Sequence, residues 1–202
     1  AYTFRLNYNG VPGLRIGGSF YYCANTAANS DKLTEYSFRA PLRIYTADAQ
    51  YKNAIVTARA NFMWGSLINA DRVSAVNTKL SNQSPYTRVV PVAHKAVSYG
   101  AEVGLNLAGI FRGPKVPVLY PFVRYDYYNP QKACEGMYIE DKRCEVRKWT
   151  AGVNWYALPN LVVKADYSTR QLGTSKMFGK GKYNSENEFS IGIAYVGWFT
   201  KR

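Results

Sequence analysis

No stretch of this 202-residue chain runs to about 18 consecutive apolar residues, so no segment is able to cross a bilayer as a helix. That absence leaves a strand-built membrane protein open, because barrels give a much weaker hydropathy trace. Histidine is scarcer still: His94 stands alone, and a His-dependent nucleophile would have to rest on one loop residue. Three cysteines occur, with no Cys-x-x-Cys pair and no neighbouring histidine, so the spacing of a zinc site is missing. There is no Gly-x-Ser-x-Gly elbow, no phosphate loop and no dinucleotide fingerprint. The glycines at 17, 18, 100, 104, 152 and 192 fall inside strand-like segments, where they mark bends or close backbone approach. The expectation is a protein without catalytic residues, metal or cofactor. Acidic residues are also few, 13 against 26 basic, for a net charge of +13. Such a charge raises the question of nucleic acid. The Lys and Arg are scattered rather than gathered in one stripe, and neither a recognition helix nor an RNA-binding fingerprint is present, so nucleic acid is set aside. A basic lumen, or loops that meet anionic lipid heads or solutes, accounts for the charge better.

What the chain does have is alternation. Segments at roughly 1–9, 14–24, 41–52, 54–67, 96–110, 119–129, 147–157, 161–171 and 186–199 alternate, apolar residues recurring at every second position with mostly polar or small ones between. A period of two places successive side chains on opposite faces of a sheet. One face collects Tyr45, Ala47, Ala49 and Tyr51, then Val56, Ala58, Ala60, Phe62 and Trp64, and so on to Phe189, Ile191, Ile193, Tyr195 and Phe199. Aromatics stand toward the strand ends and small or aliphatic residues in the middle. The 18 Tyr, 9 Phe and 4 Trp are enough to build the aromatic girdles of a membrane barrel. A soluble sandwich or lipocalin-like barrel also alternates, but it turns the apolar face inward and needs no ring belts.

The connections sort into two classes that take turns. Asn9–Gly13, Lys52-Asn53, Arg112–Val118 and Ala157–Asn160 are short and rich in Gly, Pro or Asn. Asn25–Ala40, Ile68–Lys95, Pro130–Val146 and Leu172–Ser185 are long and polar. Bacterial barrels have short periplasmic turns and long external loops. The fold expected is therefore all-β, a transmembrane antiparallel up-and-down β-barrel, with tight turns periplasmic and long loops extracellular. About nine strands fall in residues 1–202, read as one barrel domain. Nine is an odd count where bacterial single-chain barrels have an even one, and nine strands leave two open edges, which lipid does not tolerate. No leader peptide is visible at Ala1–Gly10, which already alternates like a strand, so the segment is expected to belong to a longer barrel of about sixteen strands.

The polar face supplies candidate pore-lining residues: Arg5, Arg15, Arg59, Arg124 and Lys164, with the acids Asp48, Glu102, Asp126 and Asp166. Two readings stand side by side. The basic residues form a positive lining that sets ion preference, or Arg124–Asp126 and Lys164–Asp166 pair for stability. Loop bases Arg72, Lys79 and Arg88 in Ile68–Lys95, and Lys176, Lys180 and Lys182 in Leu172–Ser185, would reach a passing anion if those loops fold inward. Cys134 and Cys144 bracket the polar stretch Glu135–Arg143 and are candidates for a loop-closing disulfide, which needs an oxidising compartment; Cys23 is left over.

Several segments carry a resemblance: Gly10–Gly17, Tyr120–Asp126, the run Gly152–Tyr167, and Asn187–Phe189 leading into Tyr195–Phe199. Together they resemble the phosphate-selective porin O/P family of outer-membrane porins, including those of Bacteroidetes-type bacteria, and specifically its C-terminal half. Gly152–Tyr167 is the most specific piece. The resemblance implies a bacterial outer-membrane barrel of about sixteen strands, often trimeric, that passes small hydrophilic or anionic solutes. The family's basic selectivity residues find no match here. One departure stands out: Phe199 is followed by Thr200-Lys201-Arg202, where outer-membrane proteins usually end on an aromatic. The function expected is passive diffusion of small hydrophilic solutes with mild preference for anions, phosphate among them. The alternative is a structural or adhesive barrel whose external loops bind a partner protein. The partners expected are outer-membrane lipid, the solutes, and copies of the chain or other outer-membrane proteins.

Overall fold

Tight turns fix the strand pairing. Pro12-Gly13 joins β1 (Tyr2–Val11) to β2 (Leu14–Cys23), with Val11 opposite Leu14. Proline presets the first turn position, and Gly13 takes the positive φ of +80° that the second demands. The same glycine accepts from Lys52 N at 2.8 Å, tying the first turn to the next. That next turn joins β3 (Leu42–Lys52) to β4 (Val56–Leu67) and is held by Asn53, whose Oδ1 accepts from Ile55 N and Val56 N at 2.8 and 2.6 Å. Pro159-Asn160 closes the hairpin of β7 (Val146–Leu158) and β8 (Leu161–Gly173), with Leu158 opposite Leu161.

With β5 (Lys95–Leu105), β6 (Val118–Ala133) and β9 (Tyr183–Tyr195), nine strands form one antiparallel sheet in the order of the chain. The computed structural model describes residues 1–26, 38–81, 91–111, 116–174 and 183–195, and of 79–81 the backbone alone. Each strand pairs with its sequence neighbours, so the sheet is an up-and-down meander. At ten to sixteen residues the strands have the length that a tilted bilayer crossing requires. The all-β, antiparallel up-and-down expectation is met, and among the described residues no helix is long and apolar enough to span a membrane.

Two short helices depart from the sequence reading. α1 (Ala70–Ser81) lies within Ile68–Lys95. α2 (Leu107–Ile110) replaces the end of the strand expected over 96–110. There Asn106 N donates to Ile55 O at 2.6 Å, and its amide Nδ2 donates to Ala54 O at 3.0 Å, so the chain turns across the neighbouring hairpin instead of continuing along β4. Residues 196–199, expected as the end of the last strand, lie outside the described residues.

The apolar face has nothing to pack on. Buried hydrophobics among the described residues are few, and those that cluster sit at one end of the sheet: Phe38, Ala40 and Val76, with Leu67 and Val73 against them. Across the sheet, Phe4, Leu6, Phe62, Val103, Val123, Trp149, Trp155, Ile191 and Ile193 are exposed. A soluble sandwich would have covered them with a second layer. An apolar face of this breadth needs lipid or a partner over it.

On that face the rings run in register. Phe4, Phe20, Tyr45 and Trp64 occupy one row across four strands. The Phe20–Tyr45 and Tyr45–Trp64 centroids are 4.9 and 5.8 Å apart. The belt continues through Tyr99–Tyr127 at 4.8 Å and Tyr125–Trp149 at 4.7 Å. Below it come Ala49, Ala60 and Ala101 in one row, then Tyr51, Leu105 and Trp155 toward the tight turns. Amphipathic rings at the ends and smooth aliphatics between them suit a bilayer's two interfaces and its hydrocarbon.

Candidate pore lining

The opposite face gathers the polar positions. Register places Arg15, Gln50, Arg59, Glu102, Arg124, Thr150, Ser168 and Glu188 in one row across β2 to β9. The adjacent row on the same face runs Asn7, Gly17, Asp48, Asn61, Gly100, Asp126, Lys148, Arg170 and Glu186. The two glycines make room for charge. A Cβ on Gly17 would meet Arg5 Nη2 at 2.5 Å, and one on Gly100 would meet Asp126 Oδ1 at 2.7 Å.

The expected lining residues all stand on this face, mostly as ion pairs. Asp48 accepts from Arg5 at 2.7 Å and faces Arg15 at 3.7 Å. Arg59 pairs with Glu102 directly across the β4–β5 ladder. Arg124 Nε lies 2.6 Å from Asp126 Oδ2, so that two-apart pair forms as the stabilising reading has it. Lys164 and Asp166 make no ion pair among the described residues. They stand instead in a groove of about 420 Å³ with Arg59, Glu102, Arg124 and Asp126.

Sequence reasoning passed over Lys148, which faces Glu188 at 3.9 Å, and Arg170, which faces Glu186 at 3.6 Å. It also passed over Phe122, Tyr120 and Tyr156, which share the polar face. The signal was present, since each occupies the same parity as the polar residues of its strand; an aromatic ring on a polar face does not stand out by type. Exposed ion pairs of this kind are individually weak. Their effect here is to leave the wall close to neutral while lining it with both donors and acceptors.

Of the loop bases, Arg72 lies on α1 and the Lys79 side chain falls outside the described residues, as do Arg88, Lys176, Lys180 and Lys182. α1 is strapped to its surroundings. Ala70 N, at the helix start, donates to Glu135 Oε2 at 2.8 Å, which puts a carboxylate where the helix dipole is positive. Ser74, buried, accepts from Val92 N at 2.8 Å. His94 Nδ1 is 2.8 Å from Leu67 O and 3.6 Å from Glu135. Gln131, also buried, donates to Pro91 O at 2.6 Å and accepts from Asp141 N at 3.0 Å. Leu67 has the parity of Arg59 and Asn61, so α1 rests on the polar-face side of β4, at the long-loop end. Cys134 and Cys144 carry free thiols, as does Cys23, in place of the bridge expected between the first two. Burial holds both loop thiols above the ordinary cysteine pKa, in the protonated form, and Cys144 leans on Gln131 Oε1 at 3.8 Å.

A meander with a ringed apolar face outside and a charge-paired polar face inside is the wall of a membrane β-barrel in class. Residues 118–196, from the start of β6 through β9, match the family model of phosphate-selective porin O and P. The resemblance carried by Tyr120–Asp126, Gly152–Tyr167 and Asn187–Phe189 falls inside that match. No curated protein matches the chain.

Proposed function

We propose that residues 1–202 form part of the wall of an outer-membrane porin that passes small hydrophilic solutes by diffusion. The observation that carries this reading is the division of one sheet into an unpacked apolar face with an aromatic belt and a polar face of cross-strand ion pairs. Lipid satisfies the first and a water-filled lumen the second. The match of residues 118–196 to a porin family supports it.

Among the described residues β1 and β9 pair with one strand each, and further strands close the barrel at about sixteen. The tight turns face the periplasm and the strapped long loops the exterior of a bacterial outer membrane. Copies of the barrel associate, as a trimer. The wall contributes only mild anion preference, through Lys164 and the loop bases, because most of its cations are paired. Phosphate is among the anions admitted. No enzymatic step, metal or cofactor enters this function. The loops Phe38–Ala40, α1 and 134–145 are hydrogen-bonded and packed into one cap, and that surface favours a second reading, a barrel that docks a partner protein.

The test is conductance of the full-length protein in a planar bilayer with a salt gradient across it. Open steps with an anion-selective reversal potential support the porin with its basic contribution. Open steps without selectivity keep the porin and remove the anion preference. Inserted protein that never conducts favours the partner-binding barrel.

A further inference from the structure

The pore reading leaves unexplained a cluster of three rings toward the tight-turn end of the polar face. Phe122 and Tyr120 are successive polar-face positions of β6, about 7 Å apart along the strand. Tyr156 stands beside them on β7, its ring 5.4 Å from that of Tyr120 and edge-on to it. Rings on a barrel's lipid face need no further account, but these lie on the face of the ion pairs, half-buried or exposed.

Phe122 is also held flat. Register seats it between Gly104 and Gly152. A Cβ on Gly152 would stand 2.9 Å from Phe122 Cε1 and 2.7 Å from Ala165 O. Only glycine there lets the ring lie against the wall, with its other side toward the groove that it helps to line. Around the rings stand Arg59 and Glu102 as an ion pair, with Asn154 and Lys164 close by. Arginine and lysine only donate, a carboxylate only accepts, and asparagine does both.

We propose that Phe122, Tyr120 and Tyr156 form a stacking track for the rings of an oligosaccharide moving through the pore. The proposal rests on the porin reading. A pyranose has an apolar C–H face that fits a flat aromatic ring, and a rim of hydroxyls that each donate and accept. The track offers both: rings for the faces, and balanced donors and acceptors on either side for the rims. A small anion would need a strongly positive site, and here the Arg59 charge is matched by Glu102 and the Arg124 charge by Asp126, while Lys164 shares the groove with Asp166. The spacing of Phe122 and Tyr120 lets neighbouring sugar units engage neighbouring rings.

The experiment is single-channel recording from the full-length protein, with maltohexaose or xylohexaose added to one side and inorganic phosphate as the control. Interruptions of the open current by at least one of the two sugars are expected, growing with concentration. Phe122→Ala and Phe122→Leu should raise the half-blocking concentration by about three- to tenfold, and Phe122→Trp should preserve it. The leucine variant keeps most of the volume over Gly152, so the proposal does not hang on the alanine variant inserting. Open pores that neither sugar interrupts overturn the track. So does block that is equal in the wild type and the alanine and leucine variants, or interruption by phosphate alone. Correctly inserted protein without any conductance overturns the porin reading and the track together, and is thereby told apart from a failure of the track alone.

Discussion

At the scale of single residues, close approach matters more than propensity. Gly13 combines a φ of +80° with a backbone neighbour, Lys52 O, standing where a Cβ would go. Gly13→Ala therefore strains the turn and pushes the second hairpin off the first. A loss of about 1–3 kcal/mol is expected, read as a lower urea midpoint for unfolding from lipid vesicles. The same scale holds a pH response. Burial by itself raises the Glu145 carboxyl, but hydrogen bonds from Arg147 at 2.7 Å and Tyr183 at 3.0 Å more than reverse that, and its pKa is lowered. A lowered carboxyl stabilises above its unfolded value and stops doing so as pH falls through the folded one. The clasp of Glu145, Arg147 and Tyr183 should hold from neutral pH down to the ordinary glutamate range near about pH 4.3 and open only below it. Amide hydrogen exchange at 145–147 followed against pH checks this: protection lost already between pH 7 and 5 would contradict it, and Glu145→Gln should flatten the profile.

At the scale of elements, the strands were legible because their signal is local. A period of two needs no partner to be read, and β1 to β8 begin within a few residues of where alternation puts them, although β5 stops at Leu105 and β6 runs on to Ala133. α1 was not legible because what starts it is distant. Its first free N–H is met by Glu135, 65 residues away, and its apolar side, Val73 and Val76, is set by packing on Phe38, Ala40 and Leu67. Charge pairing divides the same way. Arg124–Asp126, two residues apart, could be read in advance; Arg59–Glu102, 43 apart, needed the register that the α1 loop conceals. Glu135→Ala removes the acid at the helix start and the contact to His94, so externally added protease should cut within 68–95 several-fold faster. An unchanged cutting rate would mean that Ser74 and Gln131 suffice to hold the strap. The face assignment is tested by paired arginines on β4 and β5. Ala101→Arg, exposed in the mid-height alanine row of the apolar face, should cost about 2–4 kcal/mol of stability in lipid vesicles, while Asn61→Arg on the polar face should cost under about 1 kcal/mol. The reverse order would turn the sheet inside out.

At the scale of the whole molecule, the net charge of +13 and the pairing on the wall have to be held together. Arg5, Arg15, Arg59 and Arg124 each face a carboxylate, and Lys148 and Arg170 face Glu188 and Glu186. The field over the polar face is thus a mosaic of opposite charges a few ångströms apart, screened within about 8–10 Å at ordinary salt. On the proposed porin reading, such a wall should discriminate ions weakly, although the chain as a whole is strongly basic. Lys164 is the exception that should show itself. Lys164→Gln removes a cation that pairs with nothing among the described residues, and it should move the reversal potential toward cations by a small, measurable step. Arg59→Gln acts differently, because it strips the partner from Glu102 and exposes a carboxylate. Its shift should be at least as large as that of Lys164→Gln, and Arg59→Gln with Glu102→Gln should return the potential close to the wild-type value. Neutralising Arg59, Arg124 and Lys164 together should lower anion permeability the most, and raising the salt should shrink every one of these differences. A triple variant with unchanged selectivity would place the preference in the loop bases and leave this face with the task of holding water and solute.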